Sequence, residues 1–110
     1  MKSGVTTSLL LAFCLAACQR ASNRFVVTAS VDTVQSATVR LCNSQTGLGR
    51  RGDILEGSAP ANCEGEGDIM LRLSNGRTAL CRIGYVTPGA GQVFSYVVEK
   101  NQCHPVAESR

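Results

Sequence analysis

The sequence predicts an all-β protein, a small antiparallel sandwich or barrel of five to seven strands closed by disulfides. Three observations predict it. Apolar residues alternate with polar ones at period two through most of the chain, and the alternating runs are rich in β-branched residues. Glycine and polar clusters separate the runs, and no stretch of ten or more residues carries a helical apolar stripe. Four cysteines, Cys42, Cys63, Cys81 and Cys103, are spread evenly through the same region.

In chain order, Phe25, Val27, Ala29 and Val31 form one face of a first strand, and Ala37, Val39 and Leu41 one face of a second. Between them Val31, Val34 and Ala37 recur at threes, enough for one helical turn. From Cys42 to Asp68 the chain reads as a long glycine-rich loop in which Ile54-Leu55 adds at most a short strand. Ile69, Leu71 and Leu73 mark the next strand, and Ala79, Cys81, Ile83 and Tyr85 the one after it. Asn75-Gly76 joins these two as a hairpin. A three-residue loop with a glycine bulge pairs Leu71 with Ala79 and Ile69 with Cys81, which buries the more apolar face. Phe94, Tyr96 and Val98 form the last strand face, expected to pair back on Tyr85 across Thr87-Pro88-Gly89-Ala90-Gly91.

The first residues have a different design. Lys2 precedes a polar stretch and then an apolar run from Leu9 to Ala17, the layout of a signal peptide and too short to span a bilayer. The run ends in Leu15-Ala16-Ala17-Cys18, which resembles the lipobox of bacterial lipoproteins. The resemblance covers this segment alone. It implies a signal peptide over 1–17, a thioether-linked diacylglycerol and an acylated amine on Cys18, and a lipidated tether over 18–23 ahead of a single β-rich domain over 24–110. Two or more acyl chains anchor stably, each buried methylene adding about 0.8 kcal/mol. Gln19 after the cysteine, in place of the Asp that retains enteric lipoproteins in the inner membrane, implies an outer-membrane address facing the periplasm.

Loss of Lys2 with the signal segment lowers the formal net charge from +3 to +2. That balance argues against nucleic acid as a partner. A core of this size needs staples. With Cys14 removed and Cys18 acylated, an even number of cysteines remains in an exported chain, which reads as two disulfides. Three connectivities are open; the expected one pairs Cys42 with Cys63 and Cys81 with Cys103. No C-x-x-C knuckle is present, so zinc is disfavoured.

Gly47-Leu48-Gly49-Arg50-Arg51-Gly52 matches G-x-G-x-x-G, but Gly57 and Pro60 leave no room for the helix a dinucleotide site needs. Arg51-Gly52-Asp53 spells the integrin tripeptide, a short match that arises by chance. Glu64, Glu66 and Asp68 alternate as calcium ligands can, but the twelve-residue loop and terminal Glu of an EF-hand are missing, and a solvated acidic loop is the preferred reading. His104, the only histidine, lies in what reads as an exposed tail with no nucleophile–base arrangement around it.

The expected function is therefore a lipid-anchored, non-catalytic envelope protein with no cofactor and no metal. It touches the bilayer through its acyl chains and binds an envelope protein or a wall polymer. The alternative is a periplasmic inhibitor of a hydrolase, on fold analogy. The expected contact region is the loop from Asn43 to Asn62, with Leu48, Arg50 and Arg51 exposed upon it.

Overall fold

The structure, a computed structural model, describes residues 22–60 and 62–106. The expected signal segment over 1–17, Cys18 and most of the expected tether lie outside the described residues. Among the described residues nine strands form: β1 (Asn23–Thr28), β2 (Val34–Leu41), β3 (Ser44–Gly47), β4 (Gly49–Arg51), β5 (Ile54–Ala59), β6 (Gly65–Leu73), β7 (Thr78–Val86), β8 (Val93–Glu99) and β9 (Gln102–Pro105). They make a two-sheet sandwich, β4-β5-β1-β8-β9 against β3-β2-β6-β7. The all-β, disulfide-bonded sandwich is the one expected. The strand number exceeds five to seven because β3, β4 and β9 are only three or four residues long.

The alternating residues meet between the sheets. Phe25, Val27, Val34, Val39, Leu55, Ile69, Leu71 and Ile83 are almost fully buried. At about 25 cal/mol per Å² of apolar surface, this burial is the main favourable contribution to folding. The Asn75-Gly76 hairpin forms in the expected register, Leu71 opposite Ala79 and Ile69 opposite Cys81, with Gly76 at φ 88°. Asn75 Oδ1 accepts the Arg77 amide at 2.9 Å and completes the turn.

Four expectations are corrected. The helical turn over Val31–Ala37 is confined to Ser30–Val34, where the Thr33 and Val34 amides donate to Ser30 O; from Val34 onward the chain is β2. Val31 is exposed. The Tyr85–Phe94 hairpin does not form. Instead β8 crosses to the other sheet and lies parallel to β1, where Phe94 stacks on Phe25 with ring centroids 5.4 Å apart. Its antiparallel neighbour is β9, reached through Lys100-Asn101, both in the left-handed region. The stretch read as a loop between Cys42 and Asp68 contains β3, β4 and β5. Among its glycines, Gly57 is a strand residue crowded by a neighbour: a Cβ there would lie 3.0 Å from Leu48 Cδ2.

Both open sides of the sandwich are closed. On one, the chain passes from β3 in one sheet to β4 in the other through Leu48, which is buried and donates its amide to Ala37 O at 2.9 Å. On the other, the Cys81–Cys103 disulfide joins β7 to β9 with Cα atoms 5.3 Å apart. Tyr96 Oη donates to Arg82 O across the same seam at 2.8 Å. The second disulfide, Cys42–Cys63, fastens the end of β2 to the segment before β6. Both pairings are the expected ones.

Burial pushes the Tyr96 phenol up to about 12, against about 10 in an unfolded chain. A raised folded pKa contributes stability that is complete below pH 10 and lost as pH rises towards 12. Tyr96→Phe should cost about 1 kcal/mol at neutral pH through the lost hydrogen bond. It should also flatten the fall in stability between pH 10 and 12. Urea unfolding of both proteins at neutral and alkaline pH measures both effects.

Candidate functional site

The residues expected to form a contact loop are distributed otherwise. Leu48 is a core residue. Arg50 points inward from β4 and donates Nη1 to Ala29 O at 3.1 Å and Gly52 O at 2.8 Å, and Nη2 to Val34 O. It therefore bolts together the end of β1, the β4–β5 turn and the start of β2. Arg51 alone faces solvent, 70% exposed and paired with Glu56. Arg24 holds the same carboxylate from β1. Arg51-Gly52-Asp53 occupies a two-residue hairpin turn, with Gly52 at φ 64°. His104 is exposed on β9, opposite Val97, in a strand where a tail was expected.

A different set of side chains converges on the outer face of the four-stranded sheet, at the end where β2 stops and β6 begins. The alternation along β2 and β6 brings Arg40 and Asp68 outward as register partners. Their two hydrogen bonds, Nε to Oδ1 at 2.7 Å and Nη2 to Oδ2 at 3.0 Å, form a bidentate pair. That pair holds the Arg40 guanidinium even further above its ordinary value. Gln45 flanks Arg40 from β3. Cys42 and Asn43 make the intervening turn with φ of 55° and 61°, and the disulfide to Cys63 holds Glu64 beside it.

Two backbone features shape the place. Gly67 lies so close to β2 that a Cβ there would be 2.5 Å from Arg40 O and 2.8 Å from Leu41 Cδ1. Between the pairs Gly65–Val86 and Gly67–Ile83, β7 carries two residues, Gly84 and Tyr85, against Glu66 alone on β6. This is a β-bulge, and it reverses the alternation. Val86 goes into the core and Tyr85, expected on the apolar face, comes out. Tyr85 is 58% exposed, and its hydroxyl donates to Glu64 Oε1 at 2.8 Å. That bond, and after it partial desolvation, raises the phenol pKa above its ordinary value.

The result is a shallow polar hollow of about 670 Å³. Arg40, Asn43, Ser44, Gln45, Glu64, Glu66 and Asp68 line it above the Cys42–Cys63 disulfide. The Tyr85 ring stands outside this lining, tied to it through the hydroxyl bond to Glu64. The alternating acids do not converge as calcium ligands would. Both oxygens of Asp68 face Arg40 and Glu64 faces Tyr85, and among the described residues no cluster of three or more His, Cys, Asp or Glu could hold a metal ion. A second cleft of about 450 Å³ lies along the β7–β9 seam, between Leu80, Arg82, Tyr96 and Pro105. Tyr85, Arg40 and Gln45 carried no motif in the sequence. The one local signal was Gly84 inside a strand pattern, which marks a bulge.

No protein-family model, curated protein or solved structure matches the chain.

Arg50→Ala should lower unfolding free energy by about 2–4 kcal/mol, because it leaves three carbonyls without their charged donor. Arg51→Ala should change it by about 0.5 kcal/mol or less. Gly67→Ala must push β2 and β6 apart, at about 2 kcal/mol. Denaturant titration of the three variants tests this ranking.

Proposed function

We propose that the chain is a lipid-anchored, non-catalytic module of the bacterial envelope that binds an envelope protein or a wall polymer. Its place is the outer membrane, facing the periplasm. The observation that carries this reading is Leu15-Ala16-Ala17-Cys18, a thiol at the position acylated in lipoproteins and directly behind an apolar export segment. Two features of the folded part support it. Both disulfides suit an oxidising compartment. Glu56, Glu64 and Asp68 are each held by an arginine or a tyrosine, which leaves them in structural pairs and not poised for proton transfer.

The geometry also moves the proposed contact surface. Leu48 and Arg50 serve the core and the strand ends, so a partner gains nothing from them. The hollow lined by Asn43, Gln45 and Glu64 takes their place, because its donors and acceptors face outward from a rigid sheet.

Cys18→Ser should abolish incorporation of labelled palmitate and leave the unprocessed precursor. Wild type that takes up no label, or a variant still cut after Ala17, would refute the anchor.

A further inference from the structure

We propose that the hollow is a binding site for an uncharged glycan. The glycan occupies the hollow, where its hydroxyl or acetamido groups bond to Asn43, Gln45 and the remaining lone pairs of Asp68 and Glu64, and a sugar ring at the Glu64 rim extends onto Tyr85. This deepens the wall-polymer reading above and rests on it for the choice of polymer.

The first support is the bulge. Regular alternation would send Tyr85 into the core; an extra residue in β7 sends it out instead. Bulges recur where a side chain has to be re-aimed. Leaving an aromatic ring 58% exposed forgoes its burial, and a ligand restores that contact. A pyranose has an apolar face of C–H groups and a rim of hydroxyls. It therefore matches a tyrosine ring on one side and in-plane amide and carboxylate groups on the other.

The second support is preorganisation. The Tyr85 hydroxyl is held by Glu64, and Glu64 follows the half-cystine Cys63. Asp68 is held by both nitrogens of Arg40. Asn43 sits in a two-residue turn whose other member, Cys42, is the second half of the same disulfide. Ligand binding would freeze few rotamers here, which lowers its entropic cost.

Charge and size select the ligand class. Glu64, Glu66 and Asp68 outnumber Arg40 around the hollow, so a polyanion is repelled and a neutral chain is not. About 670 Å³ falls within the range of clefts that hold small ligands, and the hollow is open to solvent. Arg72 and Arg82, the exposed arginines of the same sheet face, lie four rungs apart on β6 and β7 and do not converge on one anion.

The test uses residues 19–110, which contain every described strand and both disulfides. Isotope-labelled protein is titrated with the tetramer of N-acetylglucosamine and with maltotetraose, and binding is followed by NMR. Saturable shifts of the Asn43 and Gln45 side-chain amides and of the Tyr85 ring are expected with at least one sugar. Tyr85→Ala should weaken binding about tenfold, whereas Tyr85→Phe, which keeps the ring, should stay within about threefold. Gln45→Ala, on an exposed position of β3, should weaken it about fivefold and serves should Tyr85→Ala fail to fold. Absence of shifts at millimolar sugar overturns the proposal, as does affinity unchanged by loss of the ring. Shifts confined to the β7–β9 seam overturn it too. The protein here carries no acyl chain, so failure leaves the anchor standing, and palmitate labelling at Cys18 reads that separately.

Discussion

A sandwich of two small sheets has two open sides, and how each is shut governs the rest of this molecule. Unpaired strand edges invite association with other chains, and water entering between the sheets undoes the burial that holds them. Here one side is shut by chain connectivity: Leu48 carries the backbone from sheet to sheet and fills the gap it crosses. The other is shut chemically, by Cys81–Cys103 with the Tyr96–Arg82 hydrogen bond beside it. In the chain-entropy account a loop of this length contributes about 3 kcal/mol. That is a large part of what so small a core leaves over after conformational entropy.

The closure explains several details that otherwise look unrelated. Gly57 is glycine because Leu48 needs the space above it. Arg50 can turn inward because the crossing leaves three strand-end carbonyls near one another, and a single guanidinium satisfies them. β8 joins β1 in parallel because the connection after β7 is long enough to change sheets, and Phe94 then finds Phe25. A hairpin back onto β7 would have kept Phe94, Tyr96 and Val98 in the sheet opposite Phe25 and left the first sheet without its right-hand half.

Much of this was legible in the sequence and some was not, for identifiable reasons. Period-two alternation located β1, β2, β6, β7 and β8, and the preference for burying the more apolar face chose the correct register at Asn75-Gly76. Cysteine parity and loop economy anticipated both disulfides. The strands β3 and β4 were missed, and β5 was anticipated only as a short strand at Ile54-Leu55, because glycines at 47, 49, 52 and 57 mimic loop composition. Some of them answer only to neighbours that fold in from elsewhere, as Gly57 answers to Leu48. The candidate hollow was invisible for the same reason. Tyr85 continues the alternation of Ala79, Cys81 and Ile83 on paper, and only the pairing with β6 shows that one residue of β7 is surplus. Arg50 and Arg51 looked alike as an adjacent pair, yet in a strand neighbours face opposite ways, one into the sandwich and one into solvent.

Two hairpins turn with no glycine at all. Cys42-Asn43 and Lys100-Asn101 adopt left-handed backbone at both turn positions without a glycine. Asparagine tolerates that region, but for cysteine and lysine it costs roughly 1–2 kcal/mol each. Both turns stand next to a disulfide: Cys42 is itself a half-cystine, and Cys103 follows Lys100-Asn101 by one residue. Each cross-link restricts the unfolded chain by more than the turn costs in the folded one, so the strained residue persists where an unstapled hairpin would have needed glycine. At the β2–β3 turn this also fixes where the outward groups lie. Asn43 and Gln45 face the hollow from a turn that cannot relax without breaking a covalent bond, and Glu64 faces it from the other side of the same cross-link, with Tyr85 held beyond it. The staple that lets a small core fold is thus also what gives its polar surface a fixed shape.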